Sequence, residues 1–151
     1  MLALPELCCR ILQEARDAVI FADPEGIIRL WNRGAMEIFG YAAAEAVGQS
    51  LDIIIPERHR ERHWQGYRRV MATGVTRYGS QVLAVPGRHR DGRSLSLEFT
   101  VTLVRDDHHR LLGVAAILRD VTARWQREQE LRRRLAEGLG PAGTTAQGTP
   151  L

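Results

Sequence analysis

Between Ser94 and Leu103 apolar and polar residues alternate without a break. Leu95, Leu97, Phe99, Val101 and Leu103 fall on one side, and Ser94, Ser96, Glu98, Thr100 and Thr102 on the other. A period of two places each set on its own face of a strand, so the segment has one face in a core and one in water. One-sided strands of this kind belong to antiparallel sheets, because parallel strands are covered on both faces and read as continuous apolar runs. The fold must contain an antiparallel sheet with something lying over its apolar side.

The rest of the chain supplies both. Asp17 to Asp23 and Gly26 to Trp31 are β-rich runs separated by Pro24-Glu25, with Gly26 close behind, which is hairpin chemistry. Arg77 to Val85 and Leu111 to Leu118 are two further candidate strands, with Gly87, Asp91-Gly92 and Asp106-Asp107 in the turn regions. Asn32 stands where a helix cap belongs and Gly40 where that helix stops; Ala42 to Val47 is a second short helix ending at Gly48. Pro56 begins a polar helix, Glu57 to Thr73, stopped by Gly74. His59, His63, Tyr67 and Val70 recur on it at steps of four, four and three and share one face, with Met71 beside them. Gly113, Ala115 and Ala116 leave room beside the last strand for a close neighbour.

Helices also bracket the sheet. Residues 1–16 form an amphipathic leader whose stripe is Leu4, Leu7, Ile11 and Ala15. That stripe is too short to be stable alone, so it is expected to pack on the domain or on a second copy. Residues 123–138 form a charged trailing helix, and the Gly, Thr and Pro content of residues 139–151 predicts a disordered tail.

At 151 residues the chain has the size of one α+β domain, and with 44% hydrophobic and 26% charged residues it has the means to fold. The net charge of +3 is spread over helices where Arg and Glu interleave, the pattern of a solvated face, and no nucleic-acid-binding signature accompanies it. No window is apolar enough to span a membrane or resembles a signal-peptide core, which favours the cytoplasm. Cys8 and Cys9 are adjacent and read as reduced thiols. No nucleophile and base pair, phosphate loop or kinase motif appears, so the reading is not an enzyme.

The element order, with Asp23-x-x-Gly26-x-Ile28, Asn32, Phe39-Gly40-Tyr41, Gly48-Gln49-Ser50, Arg90-Asp91-Gly92 and Asp120-Val121-Thr122, resembles a PAS domain over residues 17–122. The resemblance implies a five-stranded antiparallel sheet with helices on one face around a ligand pocket, and a sensory role. Asp120-Val121-Thr122 resembles the family's junction into a signalling helix. The blue-light flavin members need a cysteine in a Gly-x-Asn-Cys motif; here the stretch reads Gly48-Gln49-Ser50-Leu51-Asp52, which excludes that photochemistry but not non-covalent FAD or FMN.

Pro56 to Thr73 is similar to the haem-binding PAS domains of rhizobial oxygen-sensor histidine kinases. The resemblance implies b-type haem, with His63 as proximal iron ligand and Arg69 paired with a propionate. Tyr67, Val70 and Met71 would line the proximal side, Leu83, Phe99 and Val101 the distal side, with Ala115 in contact. Where the family has a distal arginine this chain has Leu83, and Arg77 replaces a histidine that assists the propionate. That departure implies a response to carbon monoxide, nitric oxide or redox state in preference to stable oxygenation, unless Gln81 or Tyr78 turns inward; Met71 is a candidate sixth ligand. The bland reading is a ligand-free or flavin-bound interaction module with His63 on the surface. A two-histidine metal site at His59 and His63 lacks a third ligand. Nothing after the trailing helix is long enough to be an output domain, so the expected partners are a second copy of the chain and a separate histidine kinase or regulator.

Overall fold

The computed structural model describes residues 1–138, as two compact units, residues 1–120 and the chain from Val121 onward. The expected tail lies outside the described residues. In chain order the first unit contains α1 (Leu4–Glu14), β1 (Ala18–Ala22), β2 (Ile28–Trp31), α2 (Arg33–Phe39), α3 (Ala43–Ala46), a 3₁₀ turn (Leu51–Ile54), α4 (Glu57–Thr73), β3 (Leu83–Arg88), β4 (Ser94–Arg105) and β5 (Leu111–Asp120). The strands form one antiparallel sheet ordered β2-β1-β5-β4-β3. The second unit holds α5 (Thr122–Ala136), an exposed helix laced by ion pairs such as Arg124–Glu128, Arg133–Glu130 and Arg133–Glu137. Among the described residues no helix is long and apolar enough to cross a membrane.

The alternating run of β4 does what its period requires. Leu95 and Leu97 are buried in a core shared with Ile20, Ile28, Trp31 and Phe39, while Thr102 on the opposite face is exposed. Phe39 and Ile28 are completely enclosed, which seats α2 on the apolar face of the sheet. Asn32 caps α2 by accepting from Ala35 N at 3.0 Å, and Gly40 ends it in the left-handed conformation at φ 84°. The Arg90-Asp91-Gly92 turn docks on that end, Arg90 N donating to Phe39 O at 2.9 Å.

Two segments depart from the sequence reading. The third strand, expected over Arg77 to Val85, runs instead from Leu83 to Arg88 and takes in Pro86 and Gly87. Sheet position explains this, because β3 is an edge strand and a residue without an N–H is tolerated where one side of the backbone faces solvent. Residues 75–82 form an irregular strap closed by a turn, Gln81 N donating to Tyr78 O at 2.7 Å. The leader helix forms as expected, but Leu4, Leu7 and Ile11 are exposed, so its stripe does not pack on the domain within one chain.

Candidate functional site

Between the inner face of the sheet and α4 lies a cavity of about 670 Å³, within the range of small-molecule sites. The two walls differ in chemistry. Ile20, Leu83, Leu97, Phe99, Val101 and Leu103 are typical of the strand side, which is apolar throughout, whereas α4 and the strap bring His59, Arg62, His63, Tyr67, Arg69 and Arg77. Among the described residues no Asp or Glu lines the cavity. A guest with a hydrocarbon body and one or more anionic groups suits such a lining, since the guanidinium groups would otherwise face each other without counter-charge.

Helix α4 is seated by both hydrogen bonds and ring packing. Tyr67 Oη donates to Asp23 O at 2.5 Å, Trp64 Nε1 donates to Asp52 Oδ1 at 2.7 Å, and Arg60 reaches Ile55 O at 3.1 Å. Gly26, at φ 80°, makes the approach possible: a Cβ there would lie 2.2 Å from the Trp64 ring. The glycine of the Asp23-to-Ile28 turn thus serves both the hairpin and the seating of the site helix. Burial, with the nearby Asp23 and Glu25 charges, pushes the Tyr67 phenol well above its ordinary pKa, so it stays a donor.

His63 sits one turn before Tyr67, its ring edge-on to Trp64 with centroids 4.7 Å apart. Its Nδ1 is the single buried side-chain nitrogen or oxygen among the described residues without a hydrogen-bond partner. Burial lowers the His63 pKa, against a weaker opposing pull from Asp52, and so favours the neutral imidazole, the form that ligates metals. Among the described residues no group of three His, Cys, Asp or Glu side chains converges as a metal site.

The cavity brings together His63, Tyr67, Arg69, Val70, Arg77, Leu83, Phe99 and Val101 of the residues singled out from sequence. Met71 and Ala115 do not reach it. Met71 is one residue past Val70, about 100° further round the helix. Ala115 is in register with Phe21 and Thr102 on the outer face of the sheet, while its neighbours Val114 and Ala116 point inward. Tyr78 lines the cavity and Gln81 does not. Sequence reasoning missed Arg62, whose signal was its place three residues after His59 on the same helical face. It also missed Ile20 and Val114, whose pairing partners are distant in sequence.

Residues 12–126 match the family described as PAS fold. The chain belongs to the PAS fold family, and its kinship is to sensory domains. It is 28% identical over 138 residues to the sensor protein FixL of Bradyrhizobium diazoefficiens, an alignment covering 91% of this chain and 27% of FixL. It is 32% identical over 120 residues to the cell-division control histidine kinase PdhS of Brucella ovis, covering 80% of this chain and 11% of PdhS. The chain thus spans about a quarter or less of these relatives. Among solved structures, a PAS domain from Colwellia psychrerythraea matches with a TM-score of 0.70 at 20% identity, covering 80% of this chain and 99% of that one. An RNA-binding light-oxygen-voltage receptor matches with a TM-score of 0.69 at 24% identity, covering 88% and 37%.

Proposed function

We propose that this PAS domain is a sensor that binds b-type haem in the cavity through His63 and relays a change at the iron to a separate signalling protein. The observation that carries the reading is His63 in the cavity wall with its Nδ1 unpartnered, in a lining that also holds Arg69 and Arg77 and, among the described residues, no carboxylate. These residues fit the group: imidazole ligates iron, and the guanidinium groups suit two propionates. When bound, the haem would supply gas-binding and redox chemistry. His63 Nδ1 has no acceptor to orient the ring, as a ligating imidazole ordinarily has. Tyr67 and Trp64, pinned to Asp23 and Asp52 on the same helix, therefore do the positioning.

The strand wall offers a bound gas no polar donor, and Leu83 is part of it. Carbon monoxide, nitric oxide or redox state is accordingly the proposed signal, with the Tyr78 phenol in the lining as the proposed donor should oxygen be stabilised. The kinship to FixL and PdhS supports a histidine kinase or its regulator as the partner, and the exposed stripe of α1 supports a homodimer. The chain is proposed to act in the cytoplasm as a non-enzymatic sensor, where the exposed Cys8 and Cys9 stay reduced.

Absorption spectra of protein made in haem-supplemented cells test this, recorded ferric, ferrous and with carbon monoxide, beside His63→Ala. A Soret band that shifts with reduction and carbon monoxide and collapses in the variant is expected. A band unchanged in the variant sinks the assignment of His63. The second reading, a ligand-free or flavin-bound interaction module, is favoured by the exposed Leu4, Leu7 and Ile11; it predicts a colourless or yellow protein that refuses added haem yet still dimerises through α1.

A further inference from the structure

We propose that Arg105, at the end of β4, is the latch that keeps the 75–82 strap closed over the mouth of the cavity. The proposal goes beyond the haem reading and holds for any guest. Cavity-lining residues that are also exposed, among them Arg69, Arg77, Tyr78 and Val85, mark the mouth between α4, the strap and β3. Val75, Thr76, Arg77 and Tyr78 are all on the strap, so its position decides access.

The strap is held in an uneven way. Within it, among the described residues, the hydrogen bonds are local turns: Val75 N to Thr73 Oγ1 at 3.3 Å, Tyr78 N to Thr76 Oγ1 at 3.3 Å and Gln81 N to Tyr78 O. Its far end is secured as β3 begins at Leu83. Its near end is secured by the Arg105 guanidinium, which donates to Gly74 O at 2.6 Å and to His109 O at 3.1 Å. Gly74 is the left-handed cap of α4, with φ 66°, and a Cβ there would lie 3.0 Å from the guanidinium. One side chain therefore joins the last turn of the site helix, the root of the strap and the β4–β5 hairpin, where His109 holds φ 62°. A cation is well placed there, since carbonyl groups at a helix C-terminus carry partial negative charge. A few polar bonds and little apolar burial are the hallmarks of a segment that opens locally while the core stays folded.

Amide hydrogen exchange resolved over residues 70–82 tests the latch, in wild type, Arg105→Met, Arg105→Lys and His109→Gly. Arg105→Met keeps the aliphatic stem and removes both donors, so exchange in 75–82 and the last turn of α4 is expected to rise by about threefold to tenfold, the range for one ordinary intramolecular hydrogen bond, since both bonds are exposed to solvent. Exchange in β1, β2 and β5 should not move. Arg105→Lys should restore part of the protection, and His109→Gly, which keeps both acceptor carbonyls, should leave it intact. The on-rate of an anionic apolar probe, anilinonaphthalene sulfonate, should rise with the opening rate. Equal strap exchange in wild type and Arg105→Met overturns the latch. A faster strap with an unchanged probe on-rate confines Arg105 to capping α4 and overturns its control of the mouth. Neither result depends on haem, whose fate is read from the spectra.

Discussion

Asn32 Nδ2 donates to Leu12 O at 2.9 Å, so a residue of the sheet-to-helix turn holds the last turn of the leader helix. The same amide donates to Asp17 O at 3.0 Å, and its Oδ1 accepts from Val19 N at 2.8 Å as well as from Ala35 N. A single buried side chain thereby ties α1, β1 and α2 together, and Arg33 adds an ion pair to Glu14 at 2.9 Å. Movement of the sheet edge and movement of the leader are not independent.

Asn32→Ala leaves two N–H donors and the leader carbonyls unpaired, and is expected to cost about 3 kcal/mol in urea unfolding, given about 1–3 kcal/mol for each buried unsatisfied group. Amide exchange in α1 should rise more than in β4. A loss below about 1 kcal/mol would show that the amide does not join the elements.

Gly26→Val should destabilise the fold by more than about 2 kcal/mol, because it adds a branched side chain at positive φ against the Trp64 ring. Trp fluorescence should shift as that ring is displaced. An unfolding midpoint close to wild type would remove the glycine from the seating of α4.

The His63 pKa is lowered on folding, so near neutrality the unfolded chain binds more protons than the folded one. Stability contributed by the neutral form is present above the unfolded value of about 6.5 and is lost as pH falls through the lowered folded value. In the protein without cofactor, the urea midpoint should fall between pH 7.5 and pH 5.5. In His63→Phe that part of the pH dependence should vanish, and the variant should be more stable at pH 5.5. Identical pH profiles would show that His63 is not buried neutral.

Phe39 is completely enclosed, whereas Phe99 stands half-buried at the cavity wall. Phe39→Ala should cost about 3–5 kcal/mol, and Phe99→Ala less than half of that, since one side of its ring already lacks neighbours. Equal losses by urea titration would mean that the space beside Phe99 is filled.

Much of this was legible in the chain. The alternation through β4, the Asn32 cap, the stop at Gly40, and helix α4 from Glu57 to Thr73 are local devices, and each appears where its residues require. The face of α4 carrying His63, Tyr67 and Val70 followed from helical spacing. The continuation of β3 through Pro86 to Arg88 did not, because a proline is compatible with a strand only at a sheet edge, and edge position belongs to the assembled sheet. Met71 and Ala115 were misplaced because one residue of phase separates the inside of a helix or strand from its outside.

What the sequence by itself determined is periodicity: which segments are strand or helix, which faces are apolar, and where turns interrupt them. These are set by bonds and side chains a few residues apart. What only the tertiary structure decided is the space between α4 and the sheet, the isolation of His63 Nδ1 and the joining of Arg105 to Gly74. Each depends on how far apart distant segments come to rest, a distance set by Trp64 over Gly26 and Tyr67 on Asp23 and by no local pattern.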